Sequence, residues 1–211
     1  MFRDRRDAGK KLAALLSRYR GKDSVVLAIP RGGVIIADEV CESLNAKIGL
    51  LMTKKIGAPS DQEAAIGAVS EDGSTVLDRE LINDFSIPDR YIQKEKARQL
   101  KEIKRRLKKY LADKLDPEIG EKTVIIVDDG IATGLTTLCA IRYIRSLGPE
   151  KIIVATPVAP GDVVRQLENE ADEVVVAETP APFYAIGHFY GDFEQVSDRE
   201  VLSIIRKYIK E

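Results

Sequence analysis

Five short apolar runs alternate along the chain with segments whose apolar residues recur every three or four positions. Residues 25–29 (Val-Val-Leu-Ala-Ile) stop at Pro30-Arg31-Gly32-Gly33, and helical spacing resumes from Val34 to Leu44, which predicts strand, glycine turn and helix. Residues 47–52 predict a second strand that ends in Thr53-Lys54-Lys55. Three further strands are predicted over 123–127, 151–156 and 173–177, separated by helices over 135–147 and 162–170, the first stopped by Gly148-Pro149. An amphipathic helix over 4–20 opens the chain and another over 198–210 closes it, with acid in its first turn as the helix dipole prefers. Strands that alternate with helices predict an α/β fold, an open and mainly parallel five-stranded sheet flanked by helices on both faces.

Two segments break this rhythm. Residues 56–75 are rich in turn formers (Gly57, Pro59, Ser60, Gly67, Ser70) and predict a mobile loop that can include a short hairpin. Residues 89–115 predict a long charged helix inserted in the alternation, with Ala97, Leu100, Ile103, Leu107, Tyr110 and Leu111 along one stripe. Between Arg90 and Lys114 stand eleven Lys or Arg and three Asp or Glu, a local excess of +8 in a chain whose formal charge is -1. That face is either solvated or turned to RNA or another partner. The near-neutral total argues against a globally basic nucleic-acid binder, so nucleic acid is a disfavoured partner.

With 211 residues the chain is expected to form a single domain, residues 1–211. Cys41, Cys139 and His188 are its only cysteines and histidine, far apart, which excludes a disulfide framework and a His/Cys zinc site. No apolar run approaches the roughly 18 residues of a membrane helix, and Met1-Phe2-Arg3-Asp4-Arg5-Arg6 leads into no signal-type core. The expected setting is cytoplasmic, without a membrane partner.

The stretch from Val124 to Thr137 carries the chemistry: Val-Ile-Ile-Val-Asp128-Asp129-Gly130-Ile131-Ala132-Thr133-Gly134-Leu135-Thr136-Thr137. A buried strand delivers two neighbouring carboxylates to its C-terminal end, where open α/β sheets bind ligands. The small-residue loop that follows opens a helix. Backbone amides of residues 132–136, with the hydroxyls of Thr133, Thr136 and Thr137, can wrap a phosphate. The carboxylates cannot also face that phosphate. They suit sugar hydroxyls or Mg²⁺ held through water, and a phosphorylated sugar satisfies both halves. The Walker lysine pattern is missing.

This stretch resembles the phosphoribosyl pyrophosphate (PRPP) loop of type I phosphoribosyltransferases, in which apolar residues, two acids, two aliphatics, a small residue, Thr-Gly, any residue and Thr follow one another. Gly130 departs from the usual aliphatic, and the other positions match. Pro30-Arg31-Gly32-Gly33 is similar to the family's pyrophosphate loop, which implies a cis peptide at Pro30–Arg31. Lys54-Lys55 occupies the place of basic residues that meet the diphosphate. The order of the whole chain resembles a smaller bacterial and archaeal branch with no base assigned, through Phe2-Arg3-Asp4-Arg5, Lys55-Ile56-Gly57-Ala58-Pro59, Pro182-Phe183-Tyr184-Ala185-Ile186-Gly187 and Phe193-Glu194-Gln195.

The resemblance implies transfer of ribosyl-5-phosphate from PRPP to a nucleobase or similar nitrogen heterocycle, with pyrophosphate released and Mg²⁺ as cofactor. Asp128 and Asp129 would orient the ribose and the Mg²⁺ shell, and Lys54 and Lys55 would assist catalysis. Ala132, Thr133, Gly134, Leu135, Thr136 and Thr137 would hold the 5-phosphate, while Pro30, Arg31, Gly32 and Gly33 receive the diphosphate. The 56–75 loop would close over the site to exclude water. Five of the twelve aromatic residues fall between Phe183 and Phe193. Residues 178–197 are therefore the expected hood, with Phe183, Tyr184, Phe189 and Tyr190 either stacking a planar base or packing a small core. His188 is the weaker candidate, and no residue is assigned as general base. Relatives that use 6-oxopurines carry an acid where this chain has Ala132, which disfavours hypoxanthine and guanine. A homodimer is expected from the family, with the 89–115 helix as its interface because the apolar stripe needs cover. The alternative is a non-catalytic PRPP-sensing regulator that binds RNA or DNA through residues 90–114. Hydrolysis of phosphorylated compounds, a looser reading, has no evident nucleophile.

Overall fold

In the computed structural model, β1 (Ser24–Ala28) and β6 (Thr123–Val127) are buried at every position. This is why their sequences are continuous apolar runs: both faces of a parallel sheet lie under helices. The structure describes residues 1–59, 61–62, 64–112, 115 and 117–209. Positions 60 and 63 of the predicted loop, 113 and 114 of the predicted long helix, and Lys210 of the predicted closing helix lie outside the described residues.

Five strands form the main sheet in the order β2 (Lys47–Leu50), β1, β6, β7 (Lys151–Val158), β8 (Glu173–Glu178). All four pairings are parallel, with Val26 opposite both Ile48 and Ile125. Alternate residues feed two cores. Val26, Ala28, Ile125, Val127 and Ile153 join α1 (Arg5–Leu15), α2 (Gly32–Leu44) and α7 (Asp198–Ile205) on one face. Val25, Leu27, Val124, Ile126 and Ile152 join α5 (Leu135–Ser146) and α6 (Gly161–Glu168) on the other.

Nine of the eighteen described positions in the predicted 56–75 loop are strand, more than the short hairpin expected there. β3 (Thr53–Gly57), β4 (Ala65–Ser70) and β5 (Thr75–Leu77) make a three-stranded antiparallel sheet. Its glycines serve close packing as well as turning: a Cβ on Gly67 would lie 2.5 Å from the Val76 carbonyl oxygen. A six-residue helix, α3 (Arg79–Asp84), follows and is too short to show a helical period.

α4 (Asp89–Lys109) is the predicted long helix, ended by Tyr110 and by Leu111 at φ 57°. Ile92, Ile103 and Tyr110, with Leu100 and Leu107 at their edge, join the same core as Ile56 and Ile66 of the small sheet. Of the predicted stripe, Ile103 and Tyr110 are thus buried within one chain, while Leu100, Leu107 and Leu111 are half-buried. Ala97 stays exposed.

The N-terminus pairs with the segment after β8. Phe2 is buried beside Tyr190, the Phe2 amide donates to the Phe189 carbonyl at 2.8 Å, and Gly191 donates back to the Phe2 carbonyl at 2.8 Å. No helix among the described residues is long and apolar enough to cross a membrane.

Candidate active site

β2 lies on one side of β1 and β6 on the other, so the chain order reverses at the β1–β6 pair. A crevice at the carboxyl ends of strands follows from such a reversal. Two turns meet there. The first, after β1, has a cis peptide at Pro30–Arg31 and leads through Gly32 and Gly33 into α2. A Cβ on Gly33 would lie 2.8 Å from the Val127 carbonyl oxygen and 3.0 Å from Asp128 Cα, so the two turns touch only because this residue has no side chain.

The second turn carries the acids. Asp128 Oδ1 accepts a hydrogen bond from the Asp129 amide at 2.8 Å. Burial first, and then the neighbouring Asp129 charge, push the Asp128 carboxyl well above the usual range, against the pull of that amide and of Arg5. Asp129 is tied differently. Arg5 Nε donates to its Oδ2 at 2.6 Å, and the Tyr190 hydroxyl donates to its backbone carbonyl at 2.5 Å.

Beyond the acids, Ile131 anchors the loop by donating to the Val158 carbonyl at 3.0 Å, while Ala132 and Thr133 are exposed. Gly134 enters α5 at φ 75°, and no side chain caps the helix and no acid stands in its first turn. Its leading amides therefore face outward with the positive end of the dipole, the setting in which helices take phosphate. Thr136 is half-buried, but Thr137 is 1% exposed and its Oγ1 is buried without a hydrogen-bond partner. Thr137 is thus turned into the fold, in contrast to the exposed Thr133.

The predicted basic residues divide. Arg31 Nη1 lies 3.9 Å from Asp198 Oδ1 at the start of α7, and Asp198 also binds Lys109 and the Tyr110 hydroxyl. Lys54 is half-buried on β3. Burial lowers its pKa, Arg106, Arg31 and Lys55 lower it further, and Glu102 opposes them. Arg31 and Lys54 thus share one cationic neighbourhood. Successive strand residues point to opposite faces, so Lys55 leaves β3 on the other side and the pair is not a single unit after a second strand.

The aromatic segment divides too. Phe183 and Phe189 pair at 5.2 Å between ring centroids and both are half-buried. Tyr184 is 78% exposed, edge-on to His188 at 6.4 Å. Tyr190 is 6% exposed and flanked by Phe2 at 5.4 Å and Phe193 at 4.8 Å. Its ring is not available to stack a base, and its hydroxyl serves the site from below.

Three residues at the site escaped the sequence reading: Arg5, Ile186 and Phe193. All three stood in motifs of the resemblance without a place among the site residues, and nothing in their spacing pairs position 5 with position 129 or position 130 with position 186. Ile186 explains Gly130, since a Cβ there would lie 2.3 Å from Ile186 Cγ2.

A five-stranded parallel sheet thus carries an acid pair and an uncapped helix start at its switch point. The sequence pattern of the phosphoribosyl transferase domain matches residues 4–186, and the chain belongs to that family. Two Mycobacterium tuberculosis proteins, one from strain CDC 1551 / Oshkosh and one from ATCC 25618 / H37Rv, each carry the name "Putative phosphoribosyl transferase". Both are 39% identical over 205 residues, 97% of this chain and 46% of theirs, so the chain spans about half the length of the curated relatives it matches. The crystal structure of a Thermus thermophilus protein is similar over 100% of both chains, at 36% identity and a TM-score of 0.82.

Proposed function

We propose that the chain transfers ribosyl-5-phosphate from PRPP to the nitrogen of a nucleobase or similar heterocycle. The bond from ribose C1 to the diphosphate oxygen breaks, a bond from C1 to the acceptor nitrogen forms, pyrophosphate departs and the acceptor nitrogen gives up its proton. One observation carries the reading: an acid pair and an uncapped helix start lie side by side at the β1–β6 switch point, matching the hydroxyls and the 5-phosphate of one phosphorylated pentose.

Asp128 and Asp129 would orient the ribose hydroxyls. The amides of residues 132–136, with Thr133 and Thr136, would hold the 5-phosphate. Arg31, Gly32, Gly33 and Lys54 would receive the diphosphate, where charge grows as the bond to C1 lengthens. Phe183 and Phe189 are the rings best placed by exposure to flank a base. With Ala132 in the slot that carries an acid in 6-oxopurine-using relatives, hypoxanthine and guanine are the disfavoured acceptors.

Mg²⁺ fits the donor set. Residues 128–134 offer two carboxylates and neither histidine nor cysteine, and no group of three or more candidate ligands occurs among the described residues. Hard oxygen donors in that number suit an ion that keeps most of its shell as water and substrate oxygen, with Asp128 and Asp129 reaching it through those ligands. Bound there, the ion supplies neutralising charge to the diphosphate.

A PRPP sensor that contacts RNA or DNA through residues 90–114 is the other reading. Cations on the diphosphate side favour transfer, since a sensor has no departing group to stabilise. The test is pyrophosphate release from PRPP with Mg²⁺ against a panel of bases, with product mass as a second readout. Release with one base class, lost in Asp129→Asn, is expected. PRPP that binds while no base gives release would overturn transfer and leave the sensor.

A further inference from the structure

We infer that Arg5 is a positioning residue of this site, holding Asp129 in the orientation in which it meets the ribose; the inference rests on the reading above. Arg5 and Asp129 stand 124 positions apart, yet Nε meets Oδ2 at 2.6 Å with the two side chains only 11% and 14% exposed. A charge-assisted bond so sheltered from water is strong and directional.

The guanidinium is held on two further sides. Its Cζ lies 3.8 Å from the centre of the Phe193 ring, and Nη1 donates to the Glu194 carbonyl at 2.9 Å. Its backbone is fixed as well. Arg5 opens α1, whose first turn is capped by Asp4 accepting from the Asp7 amide at 2.8 Å, and Phe2 just before it is buried against Tyr190. The Arg5 rotamer is thereby set by the aromatic segment after β8, and it sets Asp129 in turn.

The pair also passes directly over the diphosphate turn. A Cβ on Gly32 would lie 1.8 Å from Asp129 Oδ2 and 2.7 Å from Arg5 Nε. The residue after Arg31 is bare where the ion pair crosses it, so any movement of Arg5 is felt by both proposed substrate turns. Stability alone is a poor reason for such a pair, because a sheltered ion pair is often no better than apolar packing of the same volume.

A cavity of about 340 Å³ lined by Asp4, Arg5, Ile35, Glu194, Val196 and Ile204 opens on Arg5 from a side that does not include Asp129. Truncating Arg5 would join this cavity to the neighbourhood of Asp129 and admit a small planar cation. That makes chemical rescue a fitting test.

The experiment uses the full chain as wild type, Arg5→Ala, Arg5→Lys and Phe193→Leu, with PRPP affinity measured by calorimetry in the presence of Mg²⁺. Losing a hydrogen bond to a charged group weakens affinity about 10- to 100-fold, the loss expected for Arg5→Ala. Millimolar guanidinium should restore most of that affinity in Arg5→Ala and leave wild type unchanged, an effect a merely structural role would not give. Arg5→Lys should recover part of the loss, keeping charge without the flat face over Phe193. If Arg5→Ala fails to fold, Phe193→Leu still decides: weaker PRPP binding supports the inference, and unchanged binding overturns it. Wild-type affinity in folded Arg5→Ala, or a loss that guanidinium leaves in place, also overturns it. Should wild type itself fail to bind PRPP, the underlying functional reading falls and not this inference alone.

Discussion

Gly130 and Ile186 show how a loop residue can be chosen by a partner far along the chain. Read by itself, Gly130 is a departure from an aliphatic position; in space it is bare because Ile186 fills the place of its side chain. Gly130→Ala is expected to destabilise the fold by about 1–3 kcal/mol, the usual cost of overpacking, and Ile186→Ala should remove most of that cost. A double-mutant cycle by urea unfolding checks it, and strictly additive effects would contradict the contact. The acids, by contrast, were readable as a pair because Asp128 and Asp129 adjoin each other and their cradle follows at once. Arg5 was not readable as a site residue, nor Thr137 as an inward-facing one, because local spacing reports neither long-range partners nor which hydroxyl a helix start turns inward.

At the level of elements, the parallel strands were plain in the sequence because burial on both faces makes them unbroken apolar runs. The antiparallel sheet was not, since β4 lies between helices and packs with small residues (Ala65, Gly67, Ala68, Ser70) that also signal loops. The same reason hid Lys54 and Lys55 as strand residues. Asp198 joins the end of α4 to the start of α7, and its bonds to Lys109 and Tyr110 hold its carboxyl at about 2. An unfolded aspartate titrates near 3.9. The folded pKa is the lower one, so this stabilisation is present above the unfolded value and is lost as pH falls towards about 2. The Tm gap between wild type and Asp198→Asn should therefore be widest near neutrality and close by about pH 2, remaining small throughout because Asp198 is partly exposed. A gap that widens with acid would contradict the assignment. At the other end of the same contact, burial and then the Asp198 bond raise the Tyr110 hydroxyl to about 12, so no change is expected from it below pH 10.

Across the whole molecule, the two chain ends close on α2. Asp38 is fully buried there, accepts from Lys207 at 2.7 Å and from the Tyr208 hydroxyl at 2.9 Å, and faces Arg6 of α1 at 3.4 Å. Asp38→Ala is expected to cost about 1–3 kcal/mol in urea unfolding, because a buried acceptor shared by three donors is lost; no measurable change would mean that the tail docks through its apolar residues alone. A separate pairing, of Phe2 with Tyr190, sets the Tyr190 hydroxyl against the Asp129 carbonyl and makes the acid pair depend on the N-terminus and on the segment after β8. The central claim is that this pair and the α5 cradle together recognise one activated pentose. Its most direct test is calorimetric titration of PRPP, with Mg²⁺ present, into wild type and into the Asp128→Asn/Asp129→Asn double variant. The account predicts one site per chain in wild type and loss of most of that affinity in the variant, which stays folded with a lower Tm because Arg5 loses its charged partner. Equal binding by both proteins, or no binding by wild type, would contradict it.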